Sequence, residues 1–184
     1  MKEENKKGWT PEGICLFQAV PRAGRMENAA ERAAELGAEK IIPVRMKNCE
    51  VLLSAEEEEK AVRRWQEDAE RGAEEAGRSR KPQVHPVVSF EEALDMIARC
   101  DVRLVPYENE RGMAGTAEAL ASLKPGQSVA VLIGPEGGFA PEEIAEAEKI
   151  MQRISVGSHV LRTDTAAICA VSLVMCALEA AEEK

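Results

Sequence analysis

The chain has 184 residues, 45% of them apolar, with 24 Lys and Arg against 33 Asp and Glu for a net charge of −9. That length and apolar share suffice for the core of one α/β domain, while the acidic balance argues against holding nucleic acid by bulk electrostatics, which needs cations facing the phosphates. The opening string MKEENKKG lacks the apolar run of a secretion signal, no stretch reaches the roughly 18 apolar residues of a membrane span, and the cysteines at 15, 49, 100, 169 and 176 suggest neither a disulfide framework nor a zinc site, so a cytoplasmic protein without metal is expected.

Short apolar runs alternate with amphipathic stretches, the pattern of strands joined by helices in a mostly parallel α/β sheet. Residues 1–13 read as an N-terminal extension and 14–184 as a single domain. In chain order the domain begins with a strand at 14–20, a helix at 25–36 closed by Gly37, a strand at 40–44 and a weaker strand candidate at 50–53. A helix follows at 56–76, its acidic start from Glu56 to Glu59 suiting the positive end of a helix dipole. Next come a weaker strand candidate at 84–88, a helix at 90–98, a strand at 102–106, a helix at 116–122 and a strand at 129–133. The chain ends with a helix at 141–151 that has Pro141 in its first turn, a strand at 154–156 and a helix at 163–181. In this last helix Ala167, Ile168, Val171, Leu173, Val174, Met175 and Leu178 cover most of the circumference, which predicts burial in the core or in an interface such as a dimer seam. Neither histidine has a metal-ligand partner at helical spacing; His85, beside Pro86, reads as structural. The first half of the chain, 1–85, holds 16 Lys and Arg against 17 Asp and Glu, the second 8 against 16, so any basic surface belongs to the first half.

In VAVLIGPEGGFAPEE (129–143) an apolar strand runs straight into Gly134, Gly137 and Gly138 and then into the helix at Pro141. Glycine there permits positive φ and lets the backbone approach a ligand where a Cβ would clash. Such a loop is either a ligand site or only a tight strand-to-helix connection; it matches neither G-x-G-x-x-G nor the P-loop, which disfavours nucleotide phosphate. The string ISVGSHVLRTDTAA (154–167) repeats the order of strand, glycine turn and helix start. Thr163 or Asp164 is able to cap the last helix, and Arg162 just before them serves either the site or a surface ion pair.

The pair IGPEGGF (133–139) and VGSHVLRTDTA (156–166) resembles the two C-terminal motifs of the SPOUT methyltransferases, and specifically of the RsmE family, which methylates N3 of a uridine in small-subunit ribosomal RNA. MENAAERAAELGAEKIIPV (26–44), RWQEDAERGAEEAGR (64–78) and VPYE (105–108) carry the same resemblance. It implies a mostly parallel sheet flanked by helices with a C-terminal deep trefoil knot, a homodimer, and S-adenosylmethionine bound bent in the knot. The enclosing groups it implies come from Tyr107 and Glu108, from Ile133, Gly134, Pro135, Glu136, Gly137 and Gly138, and from Val156, Gly157, His159, Val160 and Leu161.

Methyl transfer from a sulfonium is an in-line displacement that needs collinear positioning and no metal. Uracil N3 carries a proton, so a base or a group stabilising the uracil anion is required. Arg162 is the candidate for stabilising a uracil carbonyl or orienting a phosphate, and Glu108, Glu136 and Asp164 are base candidates. Each carboxylate also has a structural use, respectively ribose binding, loop closure and helix capping. The implied partner is ribosomal RNA or the small ribosomal subunit, met by Arg22, Arg25, Arg32 and Arg78. With Arg45, Lys47, Arg80 and Lys81 these should gather on one face beside the cofactor pocket.

The chain departs from the family pattern where the RNA would lie. Only about 13 residues precede the first strand, where the family carries a small β-barrel domain. Glu75 and Ala76 replace Gln and Ser, and Asn48 and Cys49 replace Arg and Ser. Arg22 and Arg32 keep the charge of lysines, and Val156, His159 and Asp164 are milder changes. Two alternatives follow: a knotted S-adenosylmethionine-binding dimer with lost or altered RNA activity, and a SPOUT enzyme of other specificity such as a ribose 2′-hydroxyl methyltransferase.

Overall fold

The computed structural model describes residues 9–22 and 24–183, so the string MKEENKKG lies outside the described residues. Strands β1 (Ile14–Ala19) and β6 (Val129–Ile133) are buried at every position. Apart from Gln18 they are unbroken apolar runs, as a parallel strand covered on both faces requires. They lie side by side, Leu16 opposite Val131 and Gln18 opposite Ile133. Around them are β2 (Ala38–Arg45), β3 (Gln83–Val84), β4 (Val88–Ser89), β5 (Val102–Pro106) and β7 (Gln152–Ile154). The order is β3-β2-β1-β6-β5-β7 with β4 also on β2, and every pairing is parallel, which is the expected fold class.

Alternate residues of the central strands feed two cores. Leu16, Ile41, Leu104 and Val131 face α1 (Arg25–Glu35), α2 (Ala55–Glu75) and α6 (Thr163–Glu182). Phe17, Ile42, Val105 and Leu132 face α3 (Phe90–Ile97) and α5 (Pro141–Ala147), together with Trp9. A sixth helix, α4 (Ala114–Ala121), buries only Thr116 and Ala119. Trp9, inside the stretch read as an extension, packs edge-on against Phe17 with ring centroids 6.3 Å apart.

The differences from the sequence expectation have local causes. Residues 50–53 are not a strand: β2 already pairs with β1 on one edge and with β3 and β4 on the other, and Leu52 is left 87% exposed. The candidate at 84–88 is split into β3 and β4 around Pro86, which has no N–H for a ladder. Helix α2 starts one residue early because Ser54 and Glu57 form a reciprocal capping box, and Ser89 with Glu92 does the same for α3. The acidic run at 56–59 therefore caps its helix through a specific side chain as well as meeting the dipole. Helix α5 stops at Ala147, and β7 begins at Gln152 because Gln152, Arg153 and Ile154 pair with Leu104, Val105 and Pro106, whereas Val156 has left the sheet.

Helix α6 corrects a second expectation. Its length and mean hydropathy of 1.6 pass the test for a membrane-crossing helix, which the sequence reading held no stretch to do. Ala167, Ala170, Val171 and Val174 are buried against the sheet, while Ile168, Leu173, Met175 and Leu178 stay partly exposed. The stripe that is buried contains small and β-branched residues, which lets the helix lie close to β1 and β6.

Candidate functional site

The loops leaving the C-terminal ends of β5, β6 and β7 enclose a cavity of about 300 Å³. Ligands of parallel sheets bind at this edge, where loops diverge and helix N-termini converge. Tyr107 and Glu108 line it from the first loop, Ile133, Gly134, Pro135, Glu136 and Gly138 from the second, and Val156, Gly157, His159, Val160, Leu161 and Arg162 from the third. Gly137 and Asp164 stand outside the lining. Arg25, Arg111, Phe139, Ser155 and Thr163 belong to it and, as pocket residues, were missed by the sequence reading. Phe139 ends the IGPEGGF string, Ser155 and Thr163 lie within ISVGSHVLRTDTAA, and Arg25 was expected to face RNA, so of the five only Arg111 carried no signal.

Glycine shapes the second and third loops at particular positions. A Cβ on Gly134 would sit 2.8 Å from the Phe139 ring, so its absence lets that ring fold back and meet Tyr107 edge-on at 6.2 Å. Gly138 has φ +72°, and its N–H donates to the Pro135 carbonyl at 2.9 Å. Asn48 pins the same loop from the neighbouring connection, its Nδ2 donating to the carbonyls of Gly137 at 3.3 Å and Gly138 at 3.1 Å. Gly157 has φ +130° with nothing within 4 Å of an added Cβ, so it leaves open space in the lining. Ser155 anchors that loop, exchanging main-chain hydrogen bonds of 2.9 Å with the Thr116 hydroxyl.

A buried relay joins the second loop to α6. Gln18, fully buried on β1, donates through Nε2 to Thr163 Oγ1 at 2.8 Å, and that hydroxyl donates to the Gly134 carbonyl at 2.7 Å. The capping role expected for Thr163 or Asp164 is thereby corrected. Arg162 occupies the N-cap position with no side-chain cap bond, and the other two lie in the first turn, where their side chains turn toward the core. Asp164 Oδ2 accepts from Asn28 Nδ2 at 2.9 Å, and its Oδ1 is buried without a partner.

The carboxylates differ in setting. Glu136 Oε1 accepts from the Arg22 N–H at 3.0 Å and lies 3.8 Å from the Arg25 guanidinium, while its Oε2 is buried without a partner. Glu108 is exposed at the rim, its carboxylate 3.4 Å from where a Cβ of Gly138 would stand. Arg162 is exposed at the same mouth. Among the described residues no group of three His, Cys, Asp or Glu is arranged to hold a metal.

The eight cations expected to face RNA are each engaged by a carboxylate. Arg22 meets Glu50, Arg25 Glu136, Arg32 Glu31 and Glu35, Arg45 Glu58, Lys47 Glu142, Arg78 Glu39, Arg80 Glu12 and Lys81 Glu70. Only Arg25 of the eight lines the cavity, and Arg22 reaches it indirectly, its N–H donating to the lining residue Glu136. Arg78 is an anchor for the end of α1, donating to the carbonyls of Ala34 at 2.6 Å and Ala38 at 3.0 Å. Arg32 and Arg78 are not brought to the pocket.

The family model described as RNA methyltransferase domain matches residues 10–175. The Bacillus subtilis protein named ribosomal RNA small subunit methyltransferase E is 29% identical over 177 residues, covering 92% of this chain and 68% of its own length. Its namesake from Mesomycoplasma hyopneumoniae is 30% identical over 156 residues, covering 84% and 66%. The chain thus spans about two thirds of the length of these curated relatives. A crystal structure of the Neisseria gonorrhoeae protein of the same name, bound to S-adenosyl methionine, superposes with a TM-score of 0.77 at 28% identity over 90% of this chain and 66% of that one.

Proposed function

This chain belongs to the RNA methyltransferase domain family, with the small subunit methyltransferase E proteins as its relatives, and from that membership we propose that it transfers a methyl group from S-adenosylmethionine to N3 of a uridine in small-subunit ribosomal RNA. The observation that carries the reading is the cavity of about 300 Å³ built by the three loops that the motifs occupy. The lining suits the cofactor. Ile133, Val156 and Leu161 offer apolar surface to a flat base, loop main-chain groups offer donors and acceptors, and Gly157 leaves room that a side chain would fill. When bound, S-adenosylmethionine supplies an electrophilic methyl group on a sulfonium.

The residues of the chain divide the remaining work. Glu136 is engaged by the main chain of Arg22 and by Arg25, which suits closing the loop, and Asp164 is engaged by Asn28 outside the lining. Glu108, exposed at the mouth, is therefore the carboxylate we assign to take the N3 proton of uracil. Arg162, which lines the same cavity from the third loop, is the residue we assign to stabilise the charge that then spreads onto the uracil carbonyls. With cofactor and substrate bound, the loops would shield one side of the reacting pair from water and fix its orientation.

We further read the third loop and α6 as the threaded part of the trefoil knot, and the partly exposed Ile168, Leu173, Met175 and Leu178 of α6 as the homodimer seam in a cytoplasmic protein. Calorimetry with S-adenosylmethionine, followed by methyl transfer to small-subunit particles lacking the modification and mapping of the product nucleoside, tests the activity. Tight cofactor binding without transfer would reject the enzyme, and a 2′-O-methyl product would reject the assigned nucleophile.

A further inference from the structure

Most cations of this acidic chain are neutralised by carboxylates. Among the described residues, three arginines line the loop cavity. Arg25 lies 3.8 Å from Glu136, but Arg111 and Arg162 have no carboxylate partner. They enter from different loops, Arg111 after β5 and Arg162 after β7, and both are exposed at the mouth. The exposed large apolar side chains follow the same pattern. Among the described residues these are Leu52, Met113 and Val160, and two of them are near these arginines in the chain: Met113, 44% exposed, two residues after Arg111, and Val160, 77% exposed, two residues before Arg162. Arg111, Val160 and Arg162 line the same opening, and Met113 lies just outside that lining, two residues along the chain from Arg111.

We propose that Arg111 with Met113 forms a second substrate arm opposite Val160 and Arg162, and that the two arms grip one nucleotide of a single-stranded RNA segment. A guanidinium engages a phosphodiester with paired, charge-assisted hydrogen bonds, and an exposed apolar side chain packs on a base taken out of its stack. Exposure at the mouth, rather than burial among the loop main-chain groups, assigns the anion to the substrate backbone and not to the carboxylate of the cofactor. This inference rests on the proposed RNA substrate and adds a positioning residue, Arg111, that no motif contains.

The test uses the full chain, with a uridine-containing single-stranded RNA and small-subunit particles as probes, and the variants Arg111→Ala, Arg111→Lys, Met113→Ser and, as a control, Arg63→Ala on exposed α2 surface. Arg111→Ala raises KM for RNA about tenfold with kcat at saturating RNA and cofactor affinity unchanged. It also lowers the magnitude of the slope of log binding constant against log salt by about 0.7, the contribution of one single-strand phosphate contact. Arg111→Lys keeps that slope at weaker affinity, Met113→Ser raises KM without changing the slope, and Arg63→Ala changes neither. An unchanged slope and KM in Arg111→Ala overturns the proposal. Loss of cofactor affinity would give the guanidinium to the cofactor carboxylate, and a changed mass in sedimentation would give the arm to a second copy of the chain. Failure of the parent chain to transfer methyl sinks the enzymatic reading separately, because the salt slope of RNA binding is measured without turnover.

Discussion

Replacing Thr163 by Val keeps the shape of the side chain and removes the hydroxyl that links Gln18 to Gly134. Gln18 is fully buried, so the Nε2 hydrogen that reached Thr163 at 2.8 Å is left dry, although Nε2 retains its 2.9 Å bond to the Ala19 carbonyl. An unmet buried donor costs about 1–3 kcal/mol, whereas the half-exposed Gly134 carbonyl recovers most of its 2.7 Å bond from water. The expected loss is about 2 kcal/mol, against about 1 kcal/mol for Thr163→Ser, which keeps the hydroxyl and gives up a methyl group. Gln18→Leu removes the stranded donor, so the double variant with Thr163→Val should be more stable than the sum of the singles by about 1 kcal/mol. Urea unfolding followed by circular dichroism reads the four variants against the parent, and calorimetry should show weaker S-adenosylmethionine binding in Thr163→Val because the second loop is no longer tied to α6. A loss within about 0.5 kcal/mol of the parent, or additivity of the two changes, would refute the relay.

Other expectations follow from the same geometry. Arg162→Ala should leave S-adenosylmethionine affinity nearly intact while abolishing methyl transfer; strong loss of cofactor binding would remove its RNA-facing role. Gly157→Ala forces a side chain into φ +130° and into cavity space, so calorimetry should show cofactor affinity reduced at least tenfold, and the backbone strain of about 1–3 kcal/mol should lower the melting temperature as well. Burial, helped by the Lys40 charge, pushes His85 down to about 4 from its usual value near 6.5. As pH falls below about 6.5 the unfolded chain takes up a proton that the folded one refuses, so stability is lost between about pH 6.5 and 4, by up to roughly 3 kcal/mol. His85→Gln should flatten that limb of an unfolding-against-pH curve, and an unchanged curve would show that His85 is not its cause.

The central strands and the two motif loops were legible because their signals are local. An unbroken apolar run such as VAVLI can only be satisfied with both faces covered, and glycines directly after it mark a loop whose backbone must turn sharply. The same locality made 50–53 look like a strand, since composition carries no record of whether a sheet edge is vacant. Capping by Thr163 was a fair local inference, overturned by a partner 145 residues away.

Sequence by itself determined which segments become buried strands, which loops carry the ligand chemistry, and through them the family. Tertiary structure alone decided what each polar side chain does, because hydrogen bonds and ion pairs act over a few ångströms between residues that the chain holds far apart. It turned Arg78 into an anchor for the end of α1, gave Glu136 to Arg22 and Arg25, and left Glu108, Arg111 and Arg162 exposed at the mouth of the cavity.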